Sequence, residues 1–298
     1  MHTLRFSVAN TLSVGVGSDH PLDLSDGDET MFRSYVPGIV RADSVSGRAD
    51  VTIEHVESTE RRMARTETGV RIFDAWESRF PDYLPHLLYG MVRTRLLERR
   101  LFCVHGACVG TDQGYVLIVG HSGAGKTSVT LRMMERPGTR LFSGNKTVIS
   151  FGEDGCLNAV AGTPTITVRE PEKEKMAVIG ATDLVAKWGR YAGLPSPDRL
   201  SVSDAVAIRH IAIVRVDDSR SECVILDNSS ALHALFPFFL DAVNADVVLD
   251  RLEDVFMGTA DDELGRYLSK KLRDTLATVP VGSITGSSVF VAEKLSGV

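Results

Sequence analysis

The sequence predicts a mixed α/β protein, with a β-rich N-terminal lobe over residues 1–78 and a core over residues 79–298 that is built around a phosphate loop and ends in a helical third. Three observations predict it. Residues 115–130 read YVLIVGHSGAGKTSVT, an apolar run, then glycines, then a helical pattern opened by Lys126 and Thr127. The first 78 residues break into short β-like runs (LRFSVA, LSVGVG, FRSYV, DVTIEHV, GVRIFDAW) punctuated by Asp-Gly and Ser-Gly. The last third carries apolar residues at helical spacing, as in Leu264, Tyr267, Leu268, Leu272 and Leu276.

The elements follow in order. Leu84, Leu87, Leu88, Met91, Val92 and Leu96 fall at i, i+3, i+4, i+7, i+8 and i+12, an amphipathic helix with Asp82 placed to cap it. Leu101 to Val109 is a strand interrupted at His105-Gly106, and the turn at Thr111 to Gly114 sets it beside the strand that enters the phosphate loop. The helix after Lys126 stops at Pro137-Gly138. A strand over Arg140 to Phe151 is then split by the polar stretch Ser143 to Thr147, and the β pattern continues to Arg169. Glu170 to Lys175 is a charged loop or a flap, and Gly193 to Pro197 is a loop. AIRHIAIVRV turns at Asp217-Asp218 into ECVIL as a hairpin, followed by helices over 231–245, 247–256 and 261–276 and a last strand within GSITGSSVFVAEKL.

A chain of 298 residues with 43% hydrophobic content buries a substantial core. Its net charge of −6 offers no basic face, which argues against nucleic acid as a partner. Cys103, Cys108, Cys156 and Cys223 form no C-x-x-C pair and read as reduced, mostly buried thiols of a cytoplasmic protein. The N-terminus lacks a secretion-signal pattern, and no apolar run approaches the roughly 20 residues of a membrane helix, so no membrane partner is expected.

The chemistry concentrates at Gly120, His121, Ser122, Gly123, Ala124, Gly125, Lys126, Thr127 and Ser128, where the spacing is G-x-x-x-x-G-K-[ST], the Walker A pattern. Glycines let successive backbone N–H groups turn inward toward phosphate oxygens, and the helix N-terminus favours an anion there. In that pattern Lys126 reaches the β- and γ-phosphates of ATP and the Thr127 hydroxyl ligates Mg²⁺. His121 takes a variable position of the loop and is expected to face solvent.

With His105-Gly106 upstream, H-S-G-A-G-K-T in the loop, and Arg140-Leu141 opening a strand with a polar insertion, the chain resembles the HPr kinase/phosphorylase family and its phosphoenolpyruvate-carboxykinase-like fold. The resemblance spans about residues 100–150, weakens to Arg169, and leaves the N-terminal lobe unmatched. It implies an ATP- and Mg²⁺-dependent kinase in which His105 is the base. The family's third block is R-L-x-A-D-D; here Gly144 and Asn145 replace the two aspartates, and Lys146 follows. Asparagine ligates Mg²⁺ or orients a hydroxyl but takes no proton at neutral pH.

The expected catalytic set is therefore His105, Lys126, Asn145 and Lys146, with Thr127 and Asn145 on the metal and Arg169 clamping the acceptor. The missing aspartates turn the expectation from the family's protein acceptor to the hydroxyl of a small nucleoside-, sugar- or amino-acid-like biosynthetic intermediate. A protein or peptide serine kinase and a non-catalytic nucleotide-binding regulator are the alternatives. The family tends to assemble, and the helical C-terminal third offers an interface for a homo-oligomer. Asp217, at the end of an apolar strand, is either a hairpin-turn residue or a metal carboxylate of the ordinary P-loop ATPase kind.

Overall fold

The computed structural model describes residues 2–22, 26–42, 47–75, 84–168, 182–186, 189–193, 205–240 and 262–297. In chain order these form β1 (His2–Val8), β2 (Leu12–Ser18), α1 (Asp26–Tyr35), β3 (Ile39–Arg41), β4 (Val51–Glu57), β5 (Arg62–Arg65), β6 (Gly69–Asp74), α2 (Leu84–Glu98), β7 (Phe102–His105), β8 (Ala107–Thr111), β9 (Gly114–Val119) and α3 (Lys126–Met134). There follow β10 (Arg140–Ser143), β11 (Lys146–Phe151), β12 (Leu157–Gly162), β13 (Thr165–Val168), β14 (Thr182–Ala186), β15 (Gly189–Gly193), β16 (Val206–Val216), β17 (Glu222–Ile225), α4 (Asn228–Leu240), α5 (Asp262–Leu276), β18 (Val281–Gly286) and α6 (Ser288–Ser296).

The N-terminal sheet has the order β3-β1-β2-β4-β6-β5. Its alternating buried residues, such as Val51 and Ile53 on β4, meet the apolar face of α2, where all six residues at helical spacing are buried. FRSYV, expected as a strand, lies largely in α1: Phe32, Tyr35 and Val36 stand at i, i+3 and i+4, and Phe32 stacks on Phe6. The division expected after residue 78 separates this sheet from the helix that covers it.

The second sheet runs β10-β8-β9-β16-β12-β11-β7, with β18 and β17 continuing from β16. Its two ends belong to the same pair of chain segments. β10 pairs with β8 from Arg140↔Gly110 to Ser143↔Cys108, and β11 pairs with β7 from Lys146↔His105 to Ile149↔Phe102. They are two halves of one antiparallel ladder, bent where Gly106 faces Gly144-Asn145, so the sheet curls back on itself. Phe102, Val104, Cys108, Leu117, Val119, Ile149, Leu157 and Ile211 point inward and are covered by Leu235 and Phe239 of α4 and Leu268 and Leu272 of α5. Each such side chain, fully buried, contributes about 1.5–3 kcal/mol. Outward, Cys103, Val148 and Ala161 join the core of the N-terminal lobe, while Val116, Ile118, Ala212 and Val214 pack with α3 and α6.

Two C-terminal expectations change. β16 and β17 do not pair: β18 lies between them, parallel to β16 and antiparallel to β17. SVFVAEKL is helix α6, because the Ser287 hydroxyl accepts from the Phe290 backbone N–H and Val291, Ala292 and Leu295 turn one face to α3. Pro237 sits inside α4 without ending it. Among the cysteines, none of them in a disulfide, Cys103 and Cys108 are buried but Cys223 is exposed on β17. The expected cap Asp82, the charged run 170–175 and the helix over 247–256 lie outside the described residues, as does nearly all of the loop 193–197. No helix among the described residues is long and apolar enough to cross a membrane.

His210, on β16, is 2% exposed, and neither ring nitrogen has a hydrogen-bond partner. Burial holds its pKa below the ordinary value. The unfolded chain, titrating near 6.5, then binds the proton more readily, so this contribution to stability is complete above about pH 6.5 and is lost as pH falls toward the folded-state value. His210→Leu is expected to flatten the acid limb of a plot of melting temperature against pH and to raise stability at neutral pH. An unchanged acid slope would exclude His210 as its source, leaving His55 and His86, whose values burial also lowers.

Candidate functional site

The loop between β9 and α3 is shaped by close approaches that only glycine permits. A side-chain carbon on Gly120 would stand 2.7 Å from the Val214 carbonyl oxygen, and one on Gly125 would stand 2.3 Å from Val216 Cγ2. Gly123 (φ 79°) and Gly125 (φ 87°) are in the left-handed region. Gly125 is also the N-cap of α3 and offers no side chain to the helix's first-turn donors. His121, Ser122 and Gly123 form an exposed crest; Ala124 to Ser128 are half-buried. The His121 ring leans on Phe238 of α4, its centroid 4.9 Å away, rather than projecting free.

Lys126 folds back over the loop, its Nζ donating to the carbonyls of Gly120 (2.8 Å) and His121 (3.2 Å). Burial lowers its pKa. An anion seated inside the loop would offer this ammonium better acceptors than two neutral carbonyls.

His105 ends β7, one bend before β8, the strand that runs beside β9. β8 pairs with β9 at Ala107↔Ile118. The ladder ends there: the Gly106 N–H turns back to the Val104 carbonyl at 2.9 Å, and the exposed His105 closes β7, which pairs with β11. Lys146 is the direct cross-strand partner of His105, yet its ammonium turns to the N-terminal lobe. It donates to the Tyr35 carbonyl at 3.0 Å and lies over the Tyr89 ring at 3.6 Å and the Tyr35 ring at 4.7 Å. His86 packs on Tyr35 in the same cluster, its pKa lowered by burial and then by the Lys146 charge.

The departure at 144–145 has a steric reason. A side-chain carbon on Gly144 would fall 2.2 Å from the Thr165 carbonyl oxygen, so no aspartate fits there. Asn145 is half-buried, and its backbone N–H and that of Lys146 both donate to Thr163 Oγ1. The ladder puts it two strands from β9, about 10 Å between strand axes.

Asp217 follows a strand that lies directly beside β9 and parallel to it, with Ile213 opposite Val119. Val216 N–H donates to the Ala124 carbonyl at 2.8 Å, locking the end of β16 to the loop. Among the described residues no group of three or more His, Cys, Asp or Glu is placed to hold a metal ion. The oxygen-bearing candidates are the hydroxyl of Thr127, the amide of Asn145 and the carboxylate of Asp217. Arg169 lies outside the described residues. Tyr35, His86, Tyr89 and Phe238 had no local signal in the sequence; contacts across 50 to more than 100 residues bring them here.

No family model and no curated protein matches the chain. Among solved structures, it is similar to the HPr(Ser) kinase/phosphatase from Coxiella burnetii, at 12% identity over 65% of this chain and 91% of that one, with a TM-score of 0.29. At this identity and score the likeness to the HPr-kinase/phosphoenolpyruvate-carboxykinase fold group is remote, and no residue's role is carried over from it.

Proposed function

We propose that the chain binds ATP at residues 120–128 and transfers its terminal phosphoryl group to a hydroxyl, that of a small biosynthetic intermediate. The observation that carries this is a G-x-x-x-x-G-K-T segment in which Gly123 and Gly125 are left-handed, α3 starts at a glycine cap, and Lys126 rests on the carbonyls of its own loop. The bland alternative is a glycine turn that merely packs a helix on a strand. It gives no purpose to a half-buried ammonium held over the loop.

In this reading Lys126 exchanges its two carbonyls for phosphate oxygens. The acceptor oxygen bonds to the γ-phosphorus as the bond to the β–γ bridging oxygen breaks and ADP leaves; the acceptor's proton passes to a ring nitrogen of His105. Such a transition state is loose, so position and charge neutralisation contribute more than base strength. Thr127 and Asn145 would offer oxygen donors to Mg²⁺, which would supply part of that neutralisation. Lys146, engaged by Tyr35 and Tyr89, ties the strand beside His105 to the N-terminal lobe. The absence of the family's two aspartates at Gly144 and Asn145 is what favours a small acceptor. The exposed crest 121–123 leaves a seryl hydroxyl on a peptide as the second reading.

Purified protein with Mg-ATP should release ADP only when an acceptor is present, tested with a panel of hydroxylated metabolites and seryl peptides. Turnover with peptides alone would move the assignment to a protein kinase. Nucleotide binding without acceptor-dependent turnover would point to a regulator, and absence of binding would overturn the proposal. His105→Gln should slow turnover about 10²-fold while leaving nucleotide affinity unchanged.

A further inference from the structure

We infer, on the transfer reading above, that His121 and Phe238 form the wall on which the phosphoryl acceptor rests, and that the alcohol they select carries a flat ring beside its hydroxyl, as a nucleoside does.

The phosphate loop has a direction. The Lys126 ammonium, which in the Walker A pattern reaches the β- and γ-phosphates, stands on the carbonyls of Gly120 and His121, where the loop opens. The other end of the loop is the N-terminus of α3, capped by Gly125, where the phosphates nearer the nucleoside are cradled. The terminal phosphate therefore lies toward residues 120–122. In-line transfer brings the acceptor oxygen in from the side away from the leaving ADP, across the opening of the loop. The first exposed side chain there is that of His121.

The His121 ring meets Phe238 of α4 with centroids 4.9 Å apart and planes inclined by 55°. Two rings so inclined make a corner and not a stack, so neither face is fully covered by the other ring. Nor is the pair a piece of core. His121 is exposed and Phe238 only half-buried, while α4 is anchored through Leu235 and Phe239, both fully buried. A flat ring laid into this corner gains aromatic contact with Phe238, and the imidazole nitrogens offer hydrogen bonds to polar atoms on its edge. An acyclic polar chain gains no ring contact there and gives up water to lie against it.

The test follows acceptor-dependent ADP release by the full-length protein with Mg-ATP. Ring-bearing probes (adenosine, uridine, benzyl alcohol) are compared with acyclic ones (glycerol, L-serine, a seryl peptide), for the wild type, Phe238→Leu and Phe238→Tyr. Affinity for a fluorescent ATP analogue and melting temperature are measured beside them. Turnover should be confined to ring-bearing probes. Phe238→Leu should raise their KM about three- to tenfold, the worth of one aromatic contact, with kcat and nucleotide affinity little changed, and Phe238→Tyr should keep the wild-type KM. Equal or better turnover of the acyclic probes overturns the substrate class. An unchanged KM in Phe238→Leu, or an equal rise in Phe238→Tyr, overturns the role of Phe238. A loss of nucleotide affinity in Phe238→Leu as large as the rise in KM means that the pair only braces the loop, and the inference fails. Each of these leaves the nucleotide reading standing. A wild type that binds nucleotide and turns over none of the probes removes the transfer reading and this inference together, and one that binds no nucleotide defeats the nucleotide reading itself.

Discussion

Lys126→Ala is expected to reduce acceptor-dependent ADP release by about 10²–10³-fold or more, the scale on which removal of a single preorganised charge-stabilising donor is felt. The ammonium lies over the loop on the carbonyls of Gly120 and His121 and has a reduced pKa through burial. A nucleotide replaces those two carbonyls with anionic oxygens, so the interaction strengthens as negative charge gathers on the transferring group. The substitution also removes two hydrogen bonds from the loop. Its melting temperature must therefore be measured beside its rate, and a folded variant with undiminished turnover would sink both kinase readings.

The second large effect belongs to Gly125. Alanine there meets two penalties: a left-handed backbone costing about 1–2 kcal/mol, and a new carbon 2.3 Å from Val216 Cγ2. Gly123→Ala meets only the first, because nothing lies within 4 Å of the added carbon. Nucleotide affinity should fall far more for Gly125→Ala than for Gly123→Ala. Adding Val216→Gly to Gly125→Ala, which removes both the Cγ2 at 2.3 Å and the Cβ at 2.6 Å, should recover part of the loss by clearing the clash. Equal losses at the two glycines, or no recovery in the double variant, would mean that the contact between the loop and β16 does not set the loop's shape.

Much of this molecule is local and could be read in order along the chain. The strand–loop–helix at 114–134 declares itself because five apolar residues (Tyr115 to Val119), a glycine-rich loop and a helical start are consecutive, and each depends on its own backbone conformation. α2 was equally legible, since all six apolar positions at helical spacing are buried. FRSYV and SVFVAEKL misled for one reason: short apolar runs suit either period, and packing decides between them. Phe32 finds Phe6, and Ser287 caps α6.

By itself, then, the sequence determined the α/β class, the phosphate loop with its lysine and threonine, and the absence of an aspartate pair after Arg140-Leu141. Only the tertiary structure decided which strands are neighbours. It inserted β18 between β16 and β17, taking Asp217 out of a β16–β17 hairpin. It also turned Lys146 to Tyr35 and Tyr89, and set the Thr165 carbonyl where a carboxylate at 144 would have to stand. The physical reason is that strand adjacency and steric exclusion are properties of residues far apart in the chain, and no local pattern encodes them.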